Sequence, residues 1–197
     1  CECEGGVLTK CAIPKKLGAI GVALSDRTIT GVAPSAFRGY RELRRLYLSH
    51  NRISALSTSV FDSAENVQYL DLSHNNISTI EGPLPSQLRT VALRGNRVAV
   101  LRSDMLRSGH LRNLFLDDNG MRAVEPGAFD AVSNLEHVWL GGNELNCSSV
   151  RGSLPSGAEC IDAHCGIEHL AIIGDSLCNS EYDPEYATAQ CAWDGGD

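Results

Sequence analysis

Apolar residues recur in short alternating runs through the middle of the chain. Leu46-Tyr47-Leu48 is typical: two apolar residues flank a residue of another kind, and an asparagine follows three positions after the second. Alternation with a period of two predicts a short strand with one buried face. Five such segments begin at Leu43, Val67, Leu88, Leu111 and Leu135 and end at Asn51, Asn75, Asn96, Asn119 and Asn143. The asparagine recurs after 24, 21, 23 and 24 residues, so the chain contains an internal repeat.

A single repeat of this length is too short to bury its own apolar residues, so the repeats must stack. Stacking pairs the strands into a parallel sheet, and each asparagine is expected to bond to backbone groups where the chain leaves its strand. A sixth, degenerate copy has Val22, Leu24 and Ile29 in register, with Arg27 in place of the asparagine. Phenylalanines on the return paths are expected to fill the space under the opposite loops: Phe37, Phe61 and Phe129.

The pattern L-x-x-L-x-L-x-x-N-x-L resembles the consensus of leucine-rich repeat proteins, such as Toll-like receptors, variable lymphocyte receptors and matrix proteoglycans. The resemblance implies an α/β-type solenoid, a horseshoe with a parallel sheet on its concave face. It also implies cysteine caps at both ends. We therefore divide the chain into an amino-terminal cap at 1–18, a solenoid of about six repeats at 19–146 and a carboxy-terminal region at 147–197.

The eight cysteines are crowded at the two ends of the chain: Cys1, Cys3, Cys11, Cys147, Cys160, Cys165, Cys178 and Cys191. Neither cluster has the C-x-x-C knuckles of a zinc ribbon, so an oxidising, extracellular compartment is the better interpretation. Cys1-x-Cys3-x7-Cys11 resembles the amino-terminal cap of extracellular leucine-rich repeat proteins, which implies a bond between Cys1 and Cys11. Each group holds an odd number of cysteines, and we expect the chain to be cut just inside a cysteine at each end.

The segment after Cys147 differs from a usual cap. Its ending, Cys191-Ala-Trp-Asp194-Gly-Gly-Asp197, resembles the close of a Notch-type module, and Cys160-x4-Cys165 resembles the opening. The resemblance implies disulfides among Cys160, Cys165, Cys178 and Cys191, with Cys147 as a further candidate partner. It also implies one calcium ion held by Asp194 and Asp197, with Asp175 and Asn179 as additional ligands. The alternative is that Asp-Gly-Gly-Asp is a polar turn.

Composition, charge and the absence of certain motifs argue against several classes of function. A net charge of −7 argues against a general nucleic-acid binder, and lysines only at positions 10, 15 and 16 provide no polybasic membrane patch. The chain has no apolar run long enough to cross a membrane and no nucleophile elbow, phosphate loop or H-E-x-x-H motif. An enzyme is therefore not expected.

The outward positions of the sheet are the expected binding surface, because aromatic residues and arginine commonly anchor protein interfaces. We expect a protein or glycan ligand there, with Tyr47, Tyr69, Phe115 and Trp139 facing water in one column. The alternative is that these rings pair across strands and only stabilise the sheet. The candidate residues are Arg45, Tyr47, His50, Tyr69, Asp71, His74, Arg94, Asn113, Phe115, Asp117, His137 and Trp139.

His50 and His74 occupy the same position in adjacent repeats, so their side chains should lie roughly 5 Å apart. Such a pair is a candidate zinc site or pH-sensitive pair, and the alternative is a solvated pair at the strand ends.

Two sequons, at Asn76 and Asn146, match the N-glycosylation acceptor of secreted proteins. The sequence therefore favours a secreted or cell-surface recognition ectodomain. Two rivals remain open: a structural or matrix protein that self-associates, and an adhesion element whose calcium-binding tail carries the interaction.

Overall fold

The structure is a computed structural model that describes residues 1–10 and 21–162. The chain divides into two compact units, 1–162 and 163–197, and all described residues lie in the first. The part of the chain described here has no helix long and apolar enough to cross a membrane.

Short strands dominate the described residues. The first five are β1 (Glu2–Glu4), β2 (Val7–Lys10), β3 (Gly21–Ala23), β4 (Gly31–Val32) and β5 (Arg45–Tyr47). The next five are β6 (Ala55–Ser57), β7 (Tyr69–Asp71), β8 (Thr79–Glu81), β9 (Thr90–Ala92) and β10 (Val100–Leu101). The last four are β11 (Asn113–Phe115), β12 (Ala123–Val124), β13 (His137–Trp139) and β14 (Glu159–Ile161). One short helix, α1 (Cys147–Val150), and two 3-10 turns, Thr58–Phe61 and Arg151–Ser153, complete the described elements.

Seven strands form one parallel sheet in the order β14-β13-β11-β9-β7-β5-β3, so the predicted solenoid is confirmed. The central residue of each repeat strand points into the core and is at most 2% exposed: Val22, Leu46, Leu70, Val91, Leu114 and Val138. Each strand is only three residues long, so these side chains depend on the neighbouring repeats for their burial.

A ladder of buried asparagines joins the repeats, as predicted. The Nδ2 of Asn75 donates to the carbonyl of Leu72 at 3.0 Å and to that of Leu48, in the preceding repeat, at 2.9 Å. Its Oδ1 accepts the backbone N–H of Ile53 at 3.0 Å. Asn51, Asn96, Asn119 and Asn143 make the equivalent bonds. Where Arg27 replaces the asparagine, its backbone N–H donates to Oδ1 of Asn51 at 3.1 Å, so the degenerate copy is still attached.

The return paths close the core on the opposite side. Phe37, Phe61 and Phe129 are at most 4% exposed and belong to the same apolar cluster as the leucines, which confirms their predicted role. Short parallel pairs, β6 with β8 and β10 with β12, line this convex side.

The amino-terminal end is covered by the antiparallel pair β1–β2, and β2 continues into a parallel pairing with β4. Leu8 of β2 is fully buried and belongs to the core cluster. Cys1 is disulfide-bonded and Cys3 is a free, exposed cysteine, as the cap resemblance implied for these two residues. Cys11, the implied partner of Cys1, lies outside the described residues.

The carboxy-terminal end is covered by a loop that returns to the sheet. A disulfide joins Cys147 of α1 to Cys160 of β14, with Cα atoms 5.5 Å apart, so Cys147 does bond to one of the tail cysteines. β14 adds a seventh strand beside β13 through this return. The remaining residues of the Notch-type and calcium hypotheses lie outside the described residues: Cys165, Asp175, Cys178, Asn179, Cys191, Asp194 and Asp197.

Leu70→Ala should lower the free energy of unfolding by about 2 to 5 kcal/mol, because it leaves a cavity between stacked repeats. Leu70 is fully buried at the centre of the sheet, whereas Val100, on the convex side, is 38% exposed. Val100→Ala is the matched control and should change stability by no more than about 0.5 kcal/mol. Denaturant unfolding of the two variants measures both values, and equal losses would contradict the assigned repeat register.

Candidate binding face of the repeat sheet

The outward face of the sheet carries two columns of side chains. The first column runs through the first residue of each strand: Arg45, Tyr69, Thr90, Asn113 and His137. The second column runs through the third residue: Tyr47, Asp71, Ala92, Phe115 and Trp139. All twelve candidate residues lie within these columns or just beyond the strand ends, so the structure brings them onto one face.

The expectation of four aromatic residues in a single column is wrong. Tyr69 pairs with Arg45 and Thr90 in the first column, whereas the other three aromatic residues belong to the second. Its ring nevertheless reaches diagonally to Tyr47, with ring centroids 5.3 Å apart and the planes inclined by 50°. The face therefore carries two aromatic pairs, Tyr47–Tyr69 and Phe115–Trp139. Ala92, whose side chain is only a methyl group, lies between the two aromatic pairs in the second column.

The expectation that all four rings face water is also wrong. Tyr47 is 7% exposed, Phe115 5% and Trp139 0%, whereas Tyr69 is only half-buried. Neighbouring strands lie close enough for rings in the same column to stack, and stacked rings remove each other's faces from water. The Phe115 and Trp139 centroids are 4.0 Å apart with an interplanar angle of 11°, and the His137 ring lies 5.5 Å from Trp139.

Three polar candidates are buried as well, although we had expected an open, hydrated face. Asp71 is 2% exposed, and its Oδ1 accepts the backbone N–H of Ser73 at 2.9 Å. Asn113 is 8% exposed and binds Nδ1 of His137 through its Oδ1 at 3.1 Å. Asp117 has no exposed surface; it follows Phe115 on the same face and is the neighbour of Arg94 in the adjacent repeat. The half-buried candidates are Arg45, His50, Tyr69, His74, Arg94 and His137.

A column of left-handed residues follows the strands, one position before each ladder asparagine and before Arg27, which replaces the asparagine in the degenerate copy. All six of its members have φ between +52° and +68°: Asp26, His50, His74, Gly95, Asp118 and Gly142. The rings of His50 and His74 stack in this column at 4.9 Å with an interplanar angle of 10°, which confirms the predicted spacing. Within the described residues, this pair does not belong to a group of three or more potential metal ligands.

Gly95 is required where it stands. A Cβ at this position would lie 2.6 Å from Nδ1 of His74, and the backbone φ of +64° already disfavours a side chain. The absence of a side chain at Gly95 thus leaves room for the His74 ring. On its other side, Arg94 extends to within 3.7 Å of the carboxylate of Asp118.

Burial, together with the neighbouring His50 and Arg94, lowers the pKa of His74 from 6.5 to about 4, although the carboxylates of Asp71 and Asp118 act in the opposite direction. The imidazole is therefore neutral at pH 7. Because the folded pKa lies below the unfolded one, the unfolded chain takes up a proton first as the pH falls. The neutral ring thus favours the folded state above about pH 6.5, and this contribution is lost between pH 6.5 and pH 4.

Glu159 is a member of this face that the sequence analysis missed. It pairs with His137 in the adjacent strand, and its Oε2 lies 3.8 Å from Nε2 of His137. The segment Glu159-Cys160-Ile161 contains no leucine and no ladder asparagine, so the repeat pattern gave no sign of a seventh strand.

One cluster of potential metal ligands occurs within the described residues: the sulfurs of Cys147 and Cys160 and the carboxylate of Asp162. The two sulfurs are joined to each other, so they are not available as thiolate ligands. A carboxylate oxygen of Asp162 instead accepts the backbone N–H of Cys147 at 2.7 Å. The cluster therefore has a structural role, because it closes the carboxy-terminal end of the solenoid.

An alanine with a left-handed backbone costs roughly 1 to 2 kcal/mol. Gly95→Ala should destabilise the protein by more than this amount, because the new methyl group also displaces the His74 ring. In a His74→Gly background the steric part disappears, so the cost of Gly95→Ala should fall. Unfolding of the four proteins in this cycle measures the coupling. Additive effects would contradict the close approach of the ring to Gly95.

His74→Asn should weaken the pH dependence of stability between pH 6.5 and pH 4. Asparagine tolerates the left-handed backbone and removes the titrating ring. Thermal melts at pH 7 and pH 4.5 should show a smaller fall in Tm for His74→Asn than for the wild type. His110→Asn, at an exposed position on a loop, is the control and should melt like the wild type at both pH values.

The comparison with protein families matches the description "Leucine rich repeat" over residues 22–82 and 86–145, which together cover more than half of the chain. No curated protein matches the sequence. The matched residues include most of β3, all of β4 to β13, the complete asparagine ladder and both columns of the outward face from Arg45 to Trp139. The chain belongs to the leucine-rich repeat family.

Proposed function

We propose that this protein is a secreted or cell-surface recognition module that binds a protein ligand on the outward face of its repeat sheet, without catalysing a reaction. Leucine-rich repeat domains are generally binding scaffolds, which supports this class of function. The observation that carries the proposal is the half-buried set beside the packed rings: Arg45, Tyr69 and His137 lie on strands that are paired on both sides, and Arg94 lies just beyond the end of β9.

The two groups of side chains have different roles in this proposal. Tyr69 and His137 offer partly exposed rings to a ligand, while Tyr47 and Trp139 pack against them in tilted contacts from the second column. Rings that are already held in place lose little freedom on binding, which lowers the entropic cost of association. Tyrosine also combines a large apolar contact with a polar tip, as binding hot spots require.

Charged side chains lie towards both ends of this face. Arg45 lies in β5, towards the amino-terminal end of the sheet, whereas Asp118 and Glu159 lie towards the carboxy-terminal end with side chains 40% and 57% exposed. In this proposal a ligand places acidic groups near Arg45 and basic groups near Glu159. Such a layout adds selectivity and association rate more than affinity.

The extracellular part of the proposal rests on the cysteines. Eight cysteines at the two ends of the chain and the bond between Cys147 and Cys160 are typical of proteins that fold in an oxidising compartment.

A screen of secreted and cell-surface proteins against the wild-type chain is the test of binding. For a ligand found there, Tyr69→Ala should weaken affinity at least about tenfold, or about 1.4 kcal/mol, as for a hot-spot residue. Val100→Ala, on the convex side, should leave the affinity unchanged. Trp139→Ala is a poor test because this buried ring also stabilises the sheet. A ligand that binds Tyr69→Ala as tightly as wild type would contradict the proposed site.

A further inference from the structure

Two N-glycosylation sequons lie away from the face proposed for ligand binding, and the structure distinguishes between them. The first is Asn76-Ile77-Ser78, directly after the ladder asparagine of its repeat. The second is Asn146-Cys147-Ser148, at the start of the short helix that covers the last repeat. The asparagine and serine of both sequons are exposed, so the difference lies in hydrogen bonding and in covalent structure.

The first sequon is exposed, and its backbone is held by hydrogen bonds. Asn76 and Ser78 are both exposed, while Ile77 between them is fully buried. This alternation places the asparagine and the hydroxyl on the solvent side of the segment. The backbone is fixed because Asn76 donates to the carbonyl of Ile53 at 2.9 Å and Ser78 to that of Ser54 at 3.0 Å. Neither side chain is needed for the fold.

The second sequon is engaged in the fold. Oδ1 of Asn146 caps α1 by accepting the backbone N–H of Ser149 at 3.2 Å. The same oxygen accepts Oγ of Ser148 at 2.5 Å, so the hydroxyl of the sequon is bound to the asparagine that would be modified. The middle residue, Cys147, is tied to Cys160 across only 13 residues. These features restrain the side chains of Asn146 and Ser148 and the backbone between them.

We propose that Asn76 is a site of N-linked glycosylation and that Asn146 remains unmodified. The inference rests on the proposed passage through the secretory pathway, where a lipid-linked oligosaccharide is the donor. Nδ2 of Asn76 forms a bond to C1 of the first sugar, the C1–O bond to the lipid diphosphate breaks, and the diphosphate leaves with that electron pair. The amide nitrogen loses one proton.

The position of Asn76 determines which surface the glycan shields. The equivalent positions of the two neighbouring repeats are Arg52 and Arg97, both exposed, on the edge where the chain leaves the sheet. The asparagine ladder separates this edge from the outward columns. The glycan therefore covers the edge and leaves Tyr69 and His137 accessible to a ligand.

The test is secretion of the full chain from eukaryotic cells behind a heterologous signal sequence, with site occupancy measured by peptide mass spectrometry after enzymatic glycan release in heavy-oxygen water. We expect the label at Asn76 and an unlabelled Asn146. Asn76→Gln and Ser78→Ala should each remove the whole glycan mass, whereas Asn146→Gln should leave it unchanged. A secreted chain with an unmodified Asn76, or with a modified Asn146, would overturn the proposal.

Cys160→Ser tests the role assigned to the disulfide. It releases Cys147 while preserving both sequons, so occupancy of Asn146 should rise, and an unchanged occupancy would overturn that role. Ligand binding by Asn76→Gln is measured separately and should equal that of the wild type. Because occupancy and binding are separate readouts, failure of the glycan proposal is distinguishable from failure of the binding proposal.

Discussion

The buried asparagine ladder is the interaction on which the rest of this solenoid depends. Each ladder amide binds carbonyls of its own repeat and of the preceding one, so a single side chain closes the turn and sets the register between repeats. A neutral amide suits this role because it both donates and accepts within a buried turn. Loss of one such side chain would leave several backbone groups buried without partners.

The ladder also determines the surface beside the binding face. To bring the asparagine back under the strand, the chain turns sharply at the residue before it, and that residue adopts a left-handed backbone in all five repeats that have the asparagine, as does Asp26 before Arg27 in the degenerate copy. Side chains placed there project in a column along the end of the sheet. The stacked His50 and His74 and the required glycine at position 95 are therefore consequences of the same turn.

Much of this arrangement was predictable from the sequence, because it depends on spacing. The repeat period located the strands, the ladder and the histidine pair. The distance to the ladder asparagine also indicates the column in which each aromatic residue lies. Tyr69 precedes its asparagine by six residues, whereas Tyr47, Phe115 and Trp139 precede theirs by four. Grouping the four residues by type rather than by distance from the asparagine produced the wrong column.

Burial of the outward residues was not predictable in the same way. It depends on how neighbouring side chains stack and bond, as Phe115 does with Trp139 and Asn113 with His137, and these contacts follow from rotamers rather than from the repeat pattern. The seventh strand was missed for a related reason. Glu159 reaches the sheet through a disulfide-bonded return loop that has no leucine pattern of its own.

The left-handed column connects stability with recognition. Glycine would fit every position of this column without strain, and a residue with a Cβ costs roughly 1 to 2 kcal/mol more there, least for residues such as asparagine and aspartate. Two adjacent histidines therefore carry a conformational cost, which stacking of their rings at 4.9 Å offsets in part. Burial is the largest cause that lowers the pKa of His74 to about 4 and so keeps this ring neutral at pH 7. In the proposed function, the neutral His74 ring next to Arg94 lets a ligand gain contact area without displacing the tightly held water of a charged imidazolium at this position.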